Sequence, residues 1–89
     1  MKSAFELAME RFGGPLRNYT PEQKAALADI DSNYESQIVQ ARFAAQERIG
    51  LAADNPDEVK RIQDDLAMEI HSLRERCERK KEELRKSFS

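Results

Sequence analysis

The sequence has few of the residues on which small active sites are usually built. It contains one histidine and one cysteine in 89 residues. No internal disulfide is possible, a reducing compartment is plausible, and the spacing typical of zinc ligands is absent. There is also no glycine-rich phosphate loop and no nucleophile elbow. We therefore expect no metal, no cofactor and no enzymatic activity.

Large apolar side chains are also scarce. The chain has no tryptophan, 7% aromatic residues and 36% charged residues, with a formal net charge of -2. This composition suits a long solvated helix pair better than a compact globule. No stretch approaches the ~20 apolar residues of a membrane span, and the first residues carry an acid at Glu6 where a signal peptide would be apolar. We expect a soluble, cytoplasmic protein that does not enter a membrane.

Helix-breaking residues are confined to a few positions. The three glycines and three prolines fall in or beside residues 13–21, at Gly50 and at Pro56. No strand signal appears between them. The sequence predicts one helical domain over residues 1–89, with a short helix over 3–12, a linker over 13–19, a helix over 20–53, a turn at 54–55 and a helix over 56–88.

Each predicted helix begins with a recognisable cap. Ser3 and Glu6 form a capping box, and so do Thr20 and Gln23. Asn55 precedes Pro56 in the same way, and proline is favoured at the first helical position.

The two long helices carry matching apolar stripes. Both stripes advance by three, four and four residues, a period of about 3.67 per turn that is close to an unstrained α-helix. The stripes also mirror each other about Asn55 and Pro56, so that Ile38 is level with Leu73 and Tyr34 with Cys77. The sequence predicts an all-α fold, a long antiparallel helical hairpin that resembles a coiled coil. The predicted seam consists of Leu27, Ile30, Tyr34, Ile38, Ala41, Ala45, Ile49 and Ala52 facing Val59, Ile62, Leu66, Ile70, Leu73, Cys77, Leu84 and Phe88.

Some apolar residues have no place in this seam. The short helix over 3–12 is too brief to persist alone in water. It either folds onto its own hairpin or a sister chain, or inserts into a groove on a different protein. A bare hairpin of this length is marginal, so we expect a homo-oligomer, most simply a dimer that completes a four-helix bundle. The expected partner contacts are Phe5, Met9, Phe12, Val39 and Phe43.

Three seam or flank residues have both a structural and a chemical interpretation. Cys77 is read as a small buried hydrophobe, with a contact between two copies of Cys77 as an alternative. His71 is read as a solvated or helix-pairing residue, because Met68 stands where a Glu-x-x-His metal motif would need an acid. Lys81 interrupts the apolar stripe, which indicates either that the hairpin frays there or that this segment contacts something else.

Charge is unevenly distributed along the second long helix. Residues 54–69 hold six acids and two bases, whereas residues 74–89 hold seven bases and four acids. Bases near a helix C-terminus are favoured by the helix dipole. The alternative interpretation is a basic tip whose surface contacts RNA, DNA or an acidic protein face. The residues of that surface are Arg74, Arg76, Arg79, Lys80, Arg85 and Lys86.

Three segments of the first half resemble short, uncharacterised helical proteins of bacteria. The segments are residues 2–11 (KSAFELAMER), 20–25 (TPEQKA) and 31–34 (DSNY). The resemblance covers about the first 40 residues and implies no activity for this chain.

Taken together, these patterns favour a protein that binds other proteins. The leading hypothesis is a non-enzymatic interaction module that acts as an assembly factor, an adaptor or a small subunit of a larger complex. The alternative is a nucleic-acid- or ribosome-associated factor that uses the basic end of the last helix.

Overall fold

The computed structural model describes residues 19–88. Within that range the chain forms two helices, α1 (Pro21–Leu51) and α2 (Pro56–Ser87), and contains no strand. The helices pack against each other as a hairpin, which confirms the all-α hairpin that the sequence predicts. The short helix predicted over 3–12 and all but the last residue of the linker lie outside the described residues.

Helix α1 begins with the predicted capping box. The backbone N–H of Gln23 donates to Oγ1 of Thr20 over 3.1 Å, and the backbone N–H of Thr20 donates to Oε1 of Gln23 over 2.9 Å. Pro21 follows the cap, where its missing N–H is not needed. Two N–H groups that would otherwise lack a partner at the helix start are thereby satisfied.

The turn between the helices is short and has hydrogen bonds at both of its edges. Helix α1 ends at Leu51, two residues before the sequence suggests, and Ala52 closes it by donating to the carbonyls of Arg48 and Ile49. The N–H of Asn55 then donates to the carbonyl of Ala52 over 2.9 Å. The Asn55 side chain accepts from the N–H of Glu58 over 3.2 Å and caps α2.

The seam between the helices is the only core in the described residues. The buried residues are Ile38, Ala45, Ile62 and Leu73, which are between 3% and 9% exposed. Every other position of the predicted seam is partly shielded from solvent. The predicted seam is therefore the packed one, but the core is only one layer of side chains thick.

Contacts at the free end show that the hairpin stays paired over its whole length. The rings of Tyr19 and Phe88 meet edge to face, with centroids 5.7 Å apart. Asp31 contacts both Cys77 and Lys81 across the seam. The predicted mirror register places Asp31 level with residue 80, between these two contacts.

Candidate interaction surface

The side of α1 that points away from α2 carries Phe43, the most exposed aromatic side chain among residues 19–88. We call it the outer face of α1 and define it by Ser32, Ser36, Val39 and Phe43, all exposed. At about 100° per residue, Phe43 lies about 170° from the centre of the seam and Val39 about 130°. Phe43 is 66% exposed and Val39 43% exposed.

Two other large apolar side chains are exposed, but neither belongs to this face. Met68 is 71% exposed and lies about 170° from the seam on α2, so it occupies the opposite edge of the hairpin. Leu51 is 90% exposed at the end of α1 beside the turn. The outer face of α1 is therefore a separate surface, and Met68 provides a matched comparison for it.

The outer surfaces of the two helices differ in charge. Between residues 32 and 46 of α1 only Glu35 and Arg42 are charged, whereas α2 carries acids and bases on nearly every turn. Most ion pairs of the described residues lie within α2, such as Lys60–Asp64 at 2.8 Å and Arg85–Glu82 at 3.4 Å. Single pairs of this kind contribute little stability, but they keep the surface of α2 hydrated. The outer face of α1 lacks such a layer.

Lys81 is held inside the seam by two carboxylates. Its Nζ lies 2.9 Å from Oδ1 of Asp31 on α1 and 2.9 Å from Oε1 of Glu78 on α2. The Lys81 side chain is only 14% exposed. Helix α2 continues past it to Ser87, so the fraying that the sequence suggested at Lys81 does not occur. The interruption of the apolar stripe is instead a polar contact between the helices.

The same contacts shift the pKa values of the charged groups. The hydrogen bond from Lys81 lowers the pKa of Asp31 below its ordinary value. Hydrogen bonds to Glu78 and then Asp31 raise the pKa of Lys81. Both shifts favour the ionised forms, so the pair stays charged over the neutral range.

Cys77 belongs to the same cluster. Its Sγ donates to Oδ1 of Asp31 over 3.4 Å, and burial followed by that hydrogen bond raises the pKa of the thiol. A raised pKa lowers the fraction of thiolate, which is the reactive form. This supports reading Cys77 as a partly buried packing residue.

The groove beside this cluster does not resemble a preformed ligand site. It has a volume of about 390 Å³ and is lined by Asp31, Tyr34, Glu35, Ile38, Arg74, Cys77 and Glu78. Within residues 19–88, no buried side-chain nitrogen or oxygen lacks a hydrogen-bond partner. Groups of three or more potential metal ligands are also absent from this range. His71 is exposed and its Nε2 lies 3.1 Å from Oε1 of Glu75 on its own helix.

Some basic side chains at the end of α2 form ion pairs and others do not. Lys81 lies in the seam, and Arg85 pairs with Glu82. Four other bases are exposed and form no ion pair with the described residues. These four are Arg74, Arg76, Arg79 and Lys80. Lys86, the remaining base of the predicted surface, is exposed.

The structure brings together only part of the predicted contact set. Val39 and Phe43 lie one turn apart on one face, whereas Phe5, Met9 and Phe12 are outside the described residues. Asp31, the cross-helix partner of Lys81, was not predicted from the sequence. The signal that could have revealed it was the mirror register, which places Asp31 within one residue of the level of Lys81, the one lysine of the seam.

Comparisons with known proteins add no homologue. No family model, curated protein or solved structure matches the chain. The resemblance to short bacterial helical proteins stays a prediction. No helix within residues 19–88 is long and apolar enough to cross a bilayer.

Proposed function

We propose that this protein is a non-enzymatic protein-interaction module that docks through the outer face of α1, as an assembly factor, an adaptor or a small subunit. One observation carries the proposal. Phe43 and Val39 lie exposed on a helix face with little charge, on the side away from the seam. Aromatic side chains are enriched at protein interfaces, where they bury much area at little entropic cost.

The rest of the described chain supports a binding role better than a catalytic one. Cys77 is the one thiol, and its raised pKa disfavours the reactive form. Asp31 and Lys81 neutralise each other across the seam. A helical hairpin that exposes Val39 and Phe43 on a face with little charge is a suitable scaffold for a helix-mediated contact.

The test places a photo-crosslinking amino acid at Phe43 in one variant and at Met68 in another, in the cell that makes the protein. The proposal expects a covalent protein adduct from position 43 and little from position 68. Both side chains are well exposed and point away from the seam. The two variants therefore differ mainly in the helix face that carries the crosslinker, which is on α1 for Phe43 and on α2 for Met68. Equal adducts from both positions, or none from position 43, would contradict the proposal.

The four bases that form no ion pair with the described residues support a second candidate function, contact with nucleic acid. Arg74, Arg76, Arg79 and Lys80 are exposed within about two turns of α2. Such contacts release counterions, so binding to a random single-stranded oligonucleotide should weaken steeply as salt rises. Reversing the charge of Arg79 and Lys80 should remove it. Binding that is unaffected by raised salt or by the charge reversal would exclude this function.

A further inference from the structure

We propose that the outer face of α1 binds the same face of a second copy of this chain, with the two α1 helices antiparallel. The two-fold axis passes at the level between Ile38 and Val39. This inference rests on the proposed function, since it names the partner of the same surface. It is carried by the charges, the side-chain sizes and the exposure of α1.

The charges on this stretch of α1 are suited to self-recognition. Glu35 and Arg42 are the only charged residues between positions 32 and 46. Both are exposed, and neither forms an ion pair within the described residues. They are seven residues apart, about two turns, and lie on one side of α1 at about 90° and about 70° from the centre of the seam, along the edge of the outer face.

A two-fold axis perpendicular to both helices converts this spacing into two ion pairs. Rotation about such an axis reverses the direction of the second helix. Residues on one flank of the first copy then face residues on the same flank of the second copy. With the axis between Ile38 and Val39, Glu35 of each copy is level with Arg42 of the other. Opposite charges across an interface of this kind set partner choice and register.

Side-chain sizes agree with the same register. Phe43 of one copy reaches the level of position 34 of the other, midway between Ser32 and Ser36. Two small residues four apart on a helix leave a hole into which a large side chain can insert. Val39 lies beside the axis, close to Val39 of the second copy. The largest exposed side chain of the face thus meets its smallest ones.

The resulting dimer differs from the closed bundle that the sequence suggested. Because Phe43 points about 170° from the seam and Val39 about 130°, each α2 lies on the far side of its own α1. The four helices then form an open layer with the two α1 helices in the middle. Each α1 is nearly covered, and the charged surfaces of α2 stay in solvent.

The test uses the full 89-residue chain and charge reversal. Sedimentation equilibrium from low-micromolar to sub-millimolar concentration should show a monomer–dimer equilibrium. Glu35→Arg and Arg42→Glu should each weaken it by about tenfold or more, because like charges then face each other twice. The double reversal should restore it. Residues seven apart on one helix are about 10 Å apart along the axis, so this rescue would not come from within one chain.

A matched control separates register from net charge. Arg79→Glu changes the net charge as Arg42→Glu does, at another exposed base without an ion pair, and should leave the dimer intact. Glutamate and arginine are both good helix formers, so circular dichroism should be unchanged throughout. Weakening by Arg79→Glu equal to that by Arg42→Glu would overturn the proposal.

Disulfide trapping distinguishes the antiparallel arrangement from a parallel one. In a Cys77→Ser background, Val39→Cys should form a covalent dimer on oxidation, because the axis places the two copies of residue 39 side by side. Phe43→Cys should not, because its two copies are about 13 Å apart along the axis. A parallel dimer would trap both, and that result would overturn the proposal.

Three further outcomes would also overturn it. These are a monomer at all concentrations, a dimer indifferent to both charge reversals, and a double reversal without rescue. In any of these cases, adducts to a different protein at position 43 would leave the proposed function standing. A monomer without adducts would remove both.

Discussion

Replacing Lys81 with leucine should stabilise the hairpin by about 1 kcal/mol, although it removes two ion pairs. Lys81 is 14% exposed, but its partners Asp31 and Glu78 are 56% and 66% exposed. Pairs in which one partner is this exposed are worth about 0.2–1 kcal/mol each. After the change both acids can turn to water, so no buried charge is left without a partner.

The gain comes from the apolar surface that leucine adds to the seam. Fully burying a leucine side chain stabilises by about 1.5–3 kcal/mol, and the lysine stem already supplies part of this. Ordering lysine also costs roughly 1 kcal/mol more side-chain entropy than ordering leucine. The balance favours leucine, as found when buried ion pairs elsewhere are replaced by apolar residues.

The assay is urea unfolding followed by far-ultraviolet circular dichroism, repeated at two protein concentrations so that self-association can be separated from hairpin stability. Lys81→Ala is the control and should destabilise by about 1 kcal/mol or more, because it loses the ion pairs and the packing of the stem. A Lys81→Leu variant less stable than the wild type by more than about 0.5 kcal/mol would refute the reasoning, since such ion pairs would then exceed their usual value.

Three further predictions concern single residues. Gly50→Ala should stabilise by about 0.5–1 kcal/mol in thermal unfolding, because alanine is the better helix former and an added Cβ at Gly50 meets nothing within 4 Å; a loss of stability would contradict the open space there. Asp31→Asn should flatten the acid limb of the stability–pH curve. The folded-state pKa of Asp31 is lowered, so its contribution is present at neutral pH and is lost as pH falls below about 4 toward the folded-state pKa; equal slopes for variant and wild type would argue against the pair. Cys77 should react with iodoacetamide more slowly in the folded chain than in urea at neutral pH, since burial raises its pKa; equal rates in mass spectrometry would contradict its partial burial.

Much of the hairpin could be predicted because the helix breakers are few and well placed. Thr20, Asn55 and their prolines mark the helix starts by local chemistry, which needs no tertiary information. The end of α1 was less well predicted, because Ala52 and Ala53 tolerate either state and the cap at Ala52 depends on the turn that follows. The mirror symmetry of the stripes was enough to find the seam.

The polar contact at Lys81 is harder to predict, because the periodicity of the stripe marks apolar positions only. Asp31 follows the seam residue Ile30 and is 56% exposed, so its own surroundings do not mark it as a contact residue. Its role depends on what lies across the hairpin. What covers the outer face of α1 is hard to predict for a similar reason. Helical periodicity places Val39 and Phe43 on it, but their neighbours in sequence do not say what covers them.

The short turn also has a consequence for how the hairpin forms. Contacts beside Asn55 close very small loops, whereas a contact far from the turn would close a long loop if it formed first. The entropic cost of closing a loop grows with its length, so the helices should zip together from the turn. The ring contact between Tyr19 and Phe88 would then form last and open first, and amide exchange should be faster at that end than around Ile49 and Ile62. The residues before Tyr19 are thus joined to the end of the hairpin that opens most readily.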